Sequence, residues 1–252
     1  MKTKPINILI PLAGAGSSFV RAGYSFPKPL IDINGKPMIQ AVIENLIPKN
    51  PHKFILICQE SHYEKFSLYQ IFSNATKDNY ECVRLTSPTK GAACTVLTAV
   101  DFINNDEELI IANADQLLDS VIDEFVDFAR KNKLDGAIMT FESNHPRWSY
   151  ALTDKDKNVL QVAEKRVISD NATVGIYYFK TGKTFVEGAT KMIEKDVTVN
   201  NEFYVSPVYN ELILSGKKIM VYKIDKTKMH SLGTPEDLRE YLDTRKKGKK
   251  KK

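Results

Sequence analysis

Residues Ile6 to Met38 read INILIPLAGAGSSFVRAGYSFPKPLIDINGKPM, and the fold turns on how that stretch is parsed. Ile6 to Leu12 has the composition of a buried strand; it enters a loop of small residues, Ala13 to Ser18, and Pro27-Lys28-Pro29 follows after an irregular stretch. A strand, a glycine loop and a lysine in that order suit an anion. Glycines let the backbone turn tightly enough for several N–H groups to face one anion, and a lysine reaches the same anion as a point charge. Two common phosphate loops are excluded by spacing. Gly14-Ala15-Gly16-Ser17-Ser18-Phe19 lacks the last glycine of the dinucleotide fingerprint, and GxxxxGK[ST] occurs nowhere. Taken alone, the G-x-G reads first as an ordinary strand-to-loop turn, so the rest of the chain has to decide.

The chain has 252 residues, 42% hydrophobic and 27% charged, enough for one large core that needs no staples. Its net charge of +5 suggests a nucleic-acid partner until the charge is located. Seven of the 36 basic residues lie between Arg245 and Lys252, which leaves 29 basic against 31 acidic residues in the body. The body is therefore no polyanion binder, and residues 244–252 read as a disordered polybasic tail after a single domain over 1–243. Cys58, Cys82 and Cys94 are widely spaced, with no CxxC and no paired histidine, which argues for reduced thiols in a cytoplasmic protein. No apolar run approaches the length of a membrane span.

Along the chain, a buried-type strand at Phe54 to Cys58 and strands at Glu81 to Leu85 and Leu109 to Ala112 alternate with helical spacing at Met38 to Leu46, Glu60 to Phe72, Ala93 to Ile103 and a helix capped by Ser120. That alternation predicts an α/β fold with a parallel sheet and right-handed crossovers, whose ligands sit beyond the carboxyl ends of the strands. The glycine loop, the loop at Gly91 and Asp115 all fall at such ends. After Gly136 the pattern changes: strands at Gly136 to Phe141, Tyr150 to Thr153, Val159 to Glu164 and Ala172 to Phe179 follow one another, which grafts an antiparallel portion onto the sheet. Helices near Thr184 to Glu194 and Val205 to Leu214, a strand at Lys218 to Lys223 and a helix start at Thr234-Pro235-Glu236-Asp237 complete the chain.

Leu12 to Phe19 with Pro27-Lys28-Pro29-Leu30, Gly35-Lys36-Pro37-Met38, Gly91-Ala92-Ala93, Asp115, Glu164-Lys165, Asn171 to Tyr177 and Gly233 to Asp237 resemble, in order and spacing, the sugar-phosphate nucleotidylyltransferase family. The resemblance runs to about Leu242. It implies a Rossmann-like, mixed but mainly parallel central sheet flanked by helices, of the nucleotide-diphospho-sugar transferase type. It also implies a reaction in which an acceptor phosphate oxygen attacks the α-phosphorus of an NTP and releases pyrophosphate.

On that resemblance Lys28, Asp115 and Lys165 are the catalytic residues. Leu12, Ala13, Gly14, Ala15, Gly16, Ser17, Lys28, Gln59, Gly91, Ala92, Ala93, Asn113 and Asp115 bind the nucleotide, and Asp115 holds Mg²⁺. Glu164, Lys165, Thr173, Gly175 and Glu202 bind the acceptor. Singly, each has a plainer reading as a surface lysine, a turn residue or half of a surface pair. The wording Phe26 to Asp32 and Gly91 to Cys94 looks most like a capsule-locus subgroup, in which one activity is CTP-dependent activation of phosphoglutamine; a sugar 1-phosphate acceptor stays open. His145 to Tyr150 reads as acceptor recognition or as an aromatic packing corner, and Asn201 to Tyr204 as facing the acceptor or as a cap.

Two positions depart from the family pattern. Ser18 stands where the family has an arginine for the leaving pyrophosphate, with Arg21 as an alternative cation. Met229 to Leu232 lacks the carboxylate that completes the family's metal site, leaving Asp225, Glu202, or Asp115 with substrate oxygens and water. Both gaps keep a nucleotide-binding homologue without turnover open. A glycosyltransferase of the related fold is disfavoured, because Asn113-Ala114-Asp115 supplies one acid where an Asp-x-Asp pair is wanted.

Overall fold

A computed structural model describes residues 5–249 of the chain. The opening apolar run forms β1 (Ile6–Pro11), fully buried from Ile6 to Ile10. Burial on both faces is what a central parallel strand demands, and a continuous apolar run supplies it. The glycine loop then passes into the short α1 (Ser17–Arg21), and Lys28–Leu30 makes a single 3-10 turn. β2 (Asp32–Ile33) and β3 (Lys36–Pro37) pair across Asn34-Gly35, whose φ values of 55° and 88° are those of a two-residue hairpin turn. Pro37 caps α2 (Met38–Asn45), which buries Met38, Ile39, Val42 and Ile43.

β4 (His52–Gln59) comes next. The single helix expected over Glu60 to Phe72 is two, α3 (Glu60–Lys65) and α4 (Leu68–Thr76), because Ser67 at φ 50° is left-handed and cannot continue a right-handed helix. β5 (Tyr80–Leu85) leads to a second divided helix, α5 (Ala92–Leu97) and α6 (Val100–Ile103), parted by a turn at Thr98-Ala99. β6 (Glu108–Ala112) and the short β7 (Gln116–Leu118) precede α7 (Ile122–Lys131). Ser120 is not its cap: at φ 50° it forms the preceding turn, Val121 holds the cap position, and Asp123 and Glu124 place negative charge in the first turn.

The second half runs β8 (Gly136–Glu142), β9 (Tyr150–Thr153), β10 (Val159–Ala163), β11 (Asn171–Phe179), α8 (Gly182–Glu194), α9 (Val208–Leu214), β12 (Ile219–Lys223), β13 (Met229–Ser231) and α10 (Pro235–Lys249). Nine strands share one sheet, in the order β10-β9-β11-β6-β1-β4-β5 with β8 joining β11 to β12. β6, β1, β4 and β5 are mutually parallel, and β11 enters antiparallel beside β6. The fold is thus the mixed, mainly parallel α/β sheet that the alternation implied. One core, with Phe54, Phe72 and Phe125, lies under α2, α4 and α7; the other, with Val96, Phe185 and Tyr209, lies under α5, α8 and α9.

The basic end departs from expectation. α10 continues through Lys249, where disorder from 244 was expected, and 250–252 lie outside the described residues. Lysine and arginine are good helix formers. Arg245 also ties the helix down, bonding Asp119 at 3.2 Å and lying over the Tyr241 ring.

Candidate active site

A cavity of about 330 Å³ opens at the carboxyl ends of β1 and β6. Parallel strands end there with their loops diverging, which leaves a crevice for a ligand. Pro11, Leu12, Gly14 and Gly16 form one wall and Lys28 and Pro29 the next, with Asn113, Ala114 and Asp115 opposite. Gly16 adopts φ 60°, and a Cβ there would sit 3.0 Å from the Cβ of Lys28, so the loop packs directly on the lysine stem. Gln59 braces the loop from β4 by donating Nε2 to the Ala13 carbonyl at 2.9 Å.

Lys28 lies at the centre of this end. Its Nζ is 2.5 Å from Asp115 Oδ2 and 3.1 Å from the Gly233 carbonyl, and it rides 5.5 Å above the Phe19 ring. The pair is part-buried, at 18% and 28% exposure, so a phosphate entering the cavity meets an ammonium that water screens incompletely. Asp115 is held in turn by β13: Ser231 pairs with Gln116, and Leu232 N donates to the Asp115 carbonyl at 2.7 Å.

The other end is made of hydroxyls around a carboxylate. Glu164 Oε2 accepts from Ser149 Oγ and, at 2.9 Å, from Ser206 Oγ, and Tyr177 and Tyr204 complete the lining. Burial, reinforced by the negative charge of Glu164, pushes the Tyr177 phenol far up, so it stays neutral. Lys165 Nζ donates to Tyr204 OH at 2.6 Å, and that phenol donates to Glu202 Oε2 at 2.5 Å.

Two glycines let these ends meet. A Cβ on Gly91, at φ 111°, would lie 2.5 Å from the Phe203 carbonyl oxygen, where Ala93 N donates to Phe203 O and Phe203 N to Lys90 O, both at 2.9 Å. A Cβ on Gly175 would lie 2.2 Å from Asn113 Nδ2; without one, Asn113 N reaches the Gly175 carbonyl at 2.9 Å.

Of the residues singled out in the sequence, Leu12, Gly14, Gly16, Lys28, Ala92, Asn113, Asp115 and Glu164 line the cavity. Ala13, Ala15, Ser17 and Gln59 stand beside it, shaping or bracing the glycine loop; Gly91 and Ala93 face Phe203. Thr173 is buried against the Tyr177 hydroxyl at 3.1 Å, Gly175 spaces β11 from Asn113, and Lys165 and Glu202 meet at Tyr204. Ser149 and Tyr204, from the two runs read as acceptor-facing or structural, also line the cavity, and so do Pro11, Pro29, Ala114, Tyr177, Val205 and Ser206, to which no role was assigned. For Tyr204 to Ser206 the signal lay in the polar Asn200-Asn201-Glu202 run, which the structure makes a turn that delivers the next residues to the cavity. In the His145 to Tyr150 run only Ser149 lines the cavity; Arg147 lies over the Trp148 ring at 4.3 Å and Trp148 meets Phe141 edge to face, a packing corner.

Among the described residues no group of three or more His, Cys, Asp or Glu side chains is placed to hold a metal ion. Asp225 caps a turn through Thr227 and borders a different hollow, and Glu202 is turned to Tyr204, so neither joins Asp115. Asp237 approaches instead: its Oδ2 and that of Asp115 both lie 3.6 Å from the point a Gly233 Cβ would occupy, no more than twice that distance apart. Asp237 is already held by Arg147 at 2.9 Å and Ser231 at 2.9 Å. Asp115, with Oδ2 paired to Lys28, is the one carboxylate lining this end of the cavity, and Mg²⁺, which keeps several waters and takes few protein ligands, asks for little more than one. Arg21 ends α1 exposed and outside the cavity lining.

A parallel α/β sheet with a glycine loop, a lysine and a carboxylate at its ligand edge defines a protein that handles phosphorylated nucleotides. The chain belongs to the nucleotidyl transferase family, whose model matches residues 9–242. Among curated relatives, the UTP–glucose-1-phosphate uridylyltransferase AglF of Haloferax volcanii is 24% identical over 92% of this chain and 93% of its own. The bifunctional protein GlmU of Methanocaldococcus jannaschii is 25% identical over 69% of this chain, which spans 40% of that longer protein. Two solved structures share the fold. A nucleoside-diphosphate-sugar pyrophosphorylase from Vibrio cholerae RC9 has TM-score 0.80 and 24% identity, covering 94% of this chain and 99% of its own. A UDP-glucose pyrophosphorylase has 0.79 and 20%, covering 97% and 99%.

Proposed function

We propose that the protein transfers a nucleoside monophosphate from an NTP, with CTP favoured, to a small phosphorylated acceptor, phosphoglutamine or a sugar 1-phosphate. An acceptor phosphate oxygen bonds to the α-phosphorus, the bond from that phosphorus to the bridging oxygen of the β-phosphate breaks, and pyrophosphate leaves. The observation that carries this reading is one cavity with two unlike ends, Lys28 beside Asp115 at one and Glu164 ringed by Ser149 and Ser206 at the other. Phosphoryl chemistry of this kind asks a protein for positioning and positive charge more than for covalent help. Lys28 would carry that charge beside the α-phosphate, and the glycine-loop amides would hold the triphosphate. Asp115 would hold Mg²⁺, which when bound neutralises charge on the phosphate oxygens. Glu164 accepts hydrogen bonds from the acceptor's hydroxyls or amines.

The preference for CTP and a role in capsule or surface-polysaccharide synthesis rest on the wording of the Phe26 to Asp32 and Gly91 to Cys94 stretches. A second reading, nucleotide binding without turnover, is favoured by Ser18, which leaves no guanidinium at the start of α1. The deciding experiment follows pyrophosphate release with Mg²⁺ for each of four NTPs against hexose 1-phosphates, phosphocholine, glycerol phosphates and phosphoglutamine. Release with CTP and one acceptor is expected. Silence across the panel, with nucleotide binding still visible by calorimetry, would favour the second reading or an acceptor outside the panel.

A further inference from the structure

The segment Val199 to Ser206 brings Glu202 and Tyr204 to the edge of the cavity. Val199 and Glu202 bridge across the Asn200-Asn201 turn, and beyond it Phe203 is buried while the exposed Glu202 carboxylate meets the half-buried Tyr204. The segment cannot drift, because the Phe203 backbone is hydrogen-bonded on both sides to Lys90 and Ala93. Tyr204 lines the cavity, and its phenol oxygen is shared by Glu202 at 2.5 Å and Lys165 at 2.6 Å. The polarity of that chain follows from chemistry alone. A carboxylate only accepts and an ammonium only donates, so the phenol proton points to Glu202 and the phenol lone pair to Lys165. Lys165 itself sits at φ 51°, a strained backbone for a residue with a side chain, and its ammonium also lies 4.6 Å from the Tyr204 ring. A flexible four-carbon stem is thereby held in one place at the cavity's rim.

We propose that Tyr204 and Glu202 are positioning residues for Lys165, fixing its ammonium where the phosphate of the acceptor docks. This rests on the function proposed above. Glu202 orients the phenol, the phenol orients the ammonium, and the ammonium meets the phosphomonoester; neither Glu202 nor Tyr204 needs to touch the reacting atoms. The arrangement also selects among acceptors. With one of its three N–H donors on the phenol, the ammonium keeps others for a dianionic phosphate, whereas an uncharged acceptor offers it no opposite charge.

The test follows Lys165 directly and does not depend on turnover. Lysines of the full chain are dimethylated with ¹³C-formaldehyde, the Lys165 resonance is assigned by its loss in Lys165→Arg, and its titration is followed by NMR. In the wild type this resonance is expected to titrate above those of the exposed lysines and to shift when inorganic phosphate is added. Tyr204→Phe keeps the ring and removes the oxygen. It should bring the titration down among the other lysines, weaken the phosphate response, and raise the acceptor KM about tenfold with the NTP KM unmoved. Glu202→Gln should move the same signals the same way by less. A Lys165 resonance that titrates and responds to phosphate alike in wild type and Tyr204→Phe would overturn the inference, as would an unchanged acceptor KM. Failure of the proposed function shows differently: no acceptor turns over in any protein, while the NMR comparison still stands.

Discussion

Asp237 begins as a helix-start residue and ends as part of the site's frame. Its amide is capped by Thr234 Oγ1 at 3.2 Å, and its carboxylate ties Arg147 to Ser231 beside Gly233. Burial opposes its ionisation, but hydrogen bonds from Arg147 and Ser231 and the Arg147 charge outweigh burial and hold its pKa below the ordinary carboxylate range. A group depressed in this way contributes stability that is complete above its unfolded pKa, about 3.9, and is lost as pH falls through the folded value. Thermal midpoints of wild type and Asp237→Asn should therefore differ most near pH 6 and converge as pH falls through the folded value; curves that stay parallel would remove Asp237 from the acid response. Ser18 carries the other prediction at this scale. An arginine there restores a cation at the start of α1, and Ser18→Arg should raise kcat for pyrophosphate release, by up to about 10². An unchanged kcat would show that leaving-group charge does not limit the rate.

Gly91 matters through the element it joins. The loop before α5 and the segment before α9 run so close that the loop residue has no room for a Cβ, which would stand 2.5 to 2.6 Å from Phe203 backbone atoms. Gly91→Ala is expected to cost about 1–3 kcal/mol of stability from the φ of 111° alone. It should also raise the KM of both substrates, since both walls move; a denaturation midpoint equal to wild type would refute this. Elements of this kind also mark how far the sequence could be read. The strands β1, β4 and β6 are legible because two-sided burial writes itself as apolar runs, and the loops after β1 and β6 then place Lys28 and Asp115 on one edge. The breaks at Ser67 and Ser120 are not legible, because serine carries no local mark of the left-handed backbone that it adopts there. The acceptor end is hidden for a different reason. Ser149 and Ser206 reach Glu164 across 15 and 42 residues, and only the antiparallel return of the chain brings them together.

At the scale of the molecule, one sheet carries both ends of the cavity, and β11 beside β6 joins the halves through four register pairs from Ile176–Ala112 to Phe179–Leu109. Heat should therefore unfold residues of both halves in a single transition, which a bound NTP at about 100 times its Kd raises by about 2.7 kcal/mol. Two separable transitions, one indifferent to nucleotide, would divide the sheet into independent units. Among the described residues no helix is long and apolar enough to cross a membrane. Lys28 bonds to Asp115 across 87 residues and to the Gly233 carbonyl across 205. While the chain is being made, then, the glycine loop and its lysine emerge early and wait for most of the remaining residues before their last partner exists. Strand pairings of such separation form late and slowly. A nascent chain thus passes through its synthesis without a finished site, and competence arrives only with the strand that precedes the final helix.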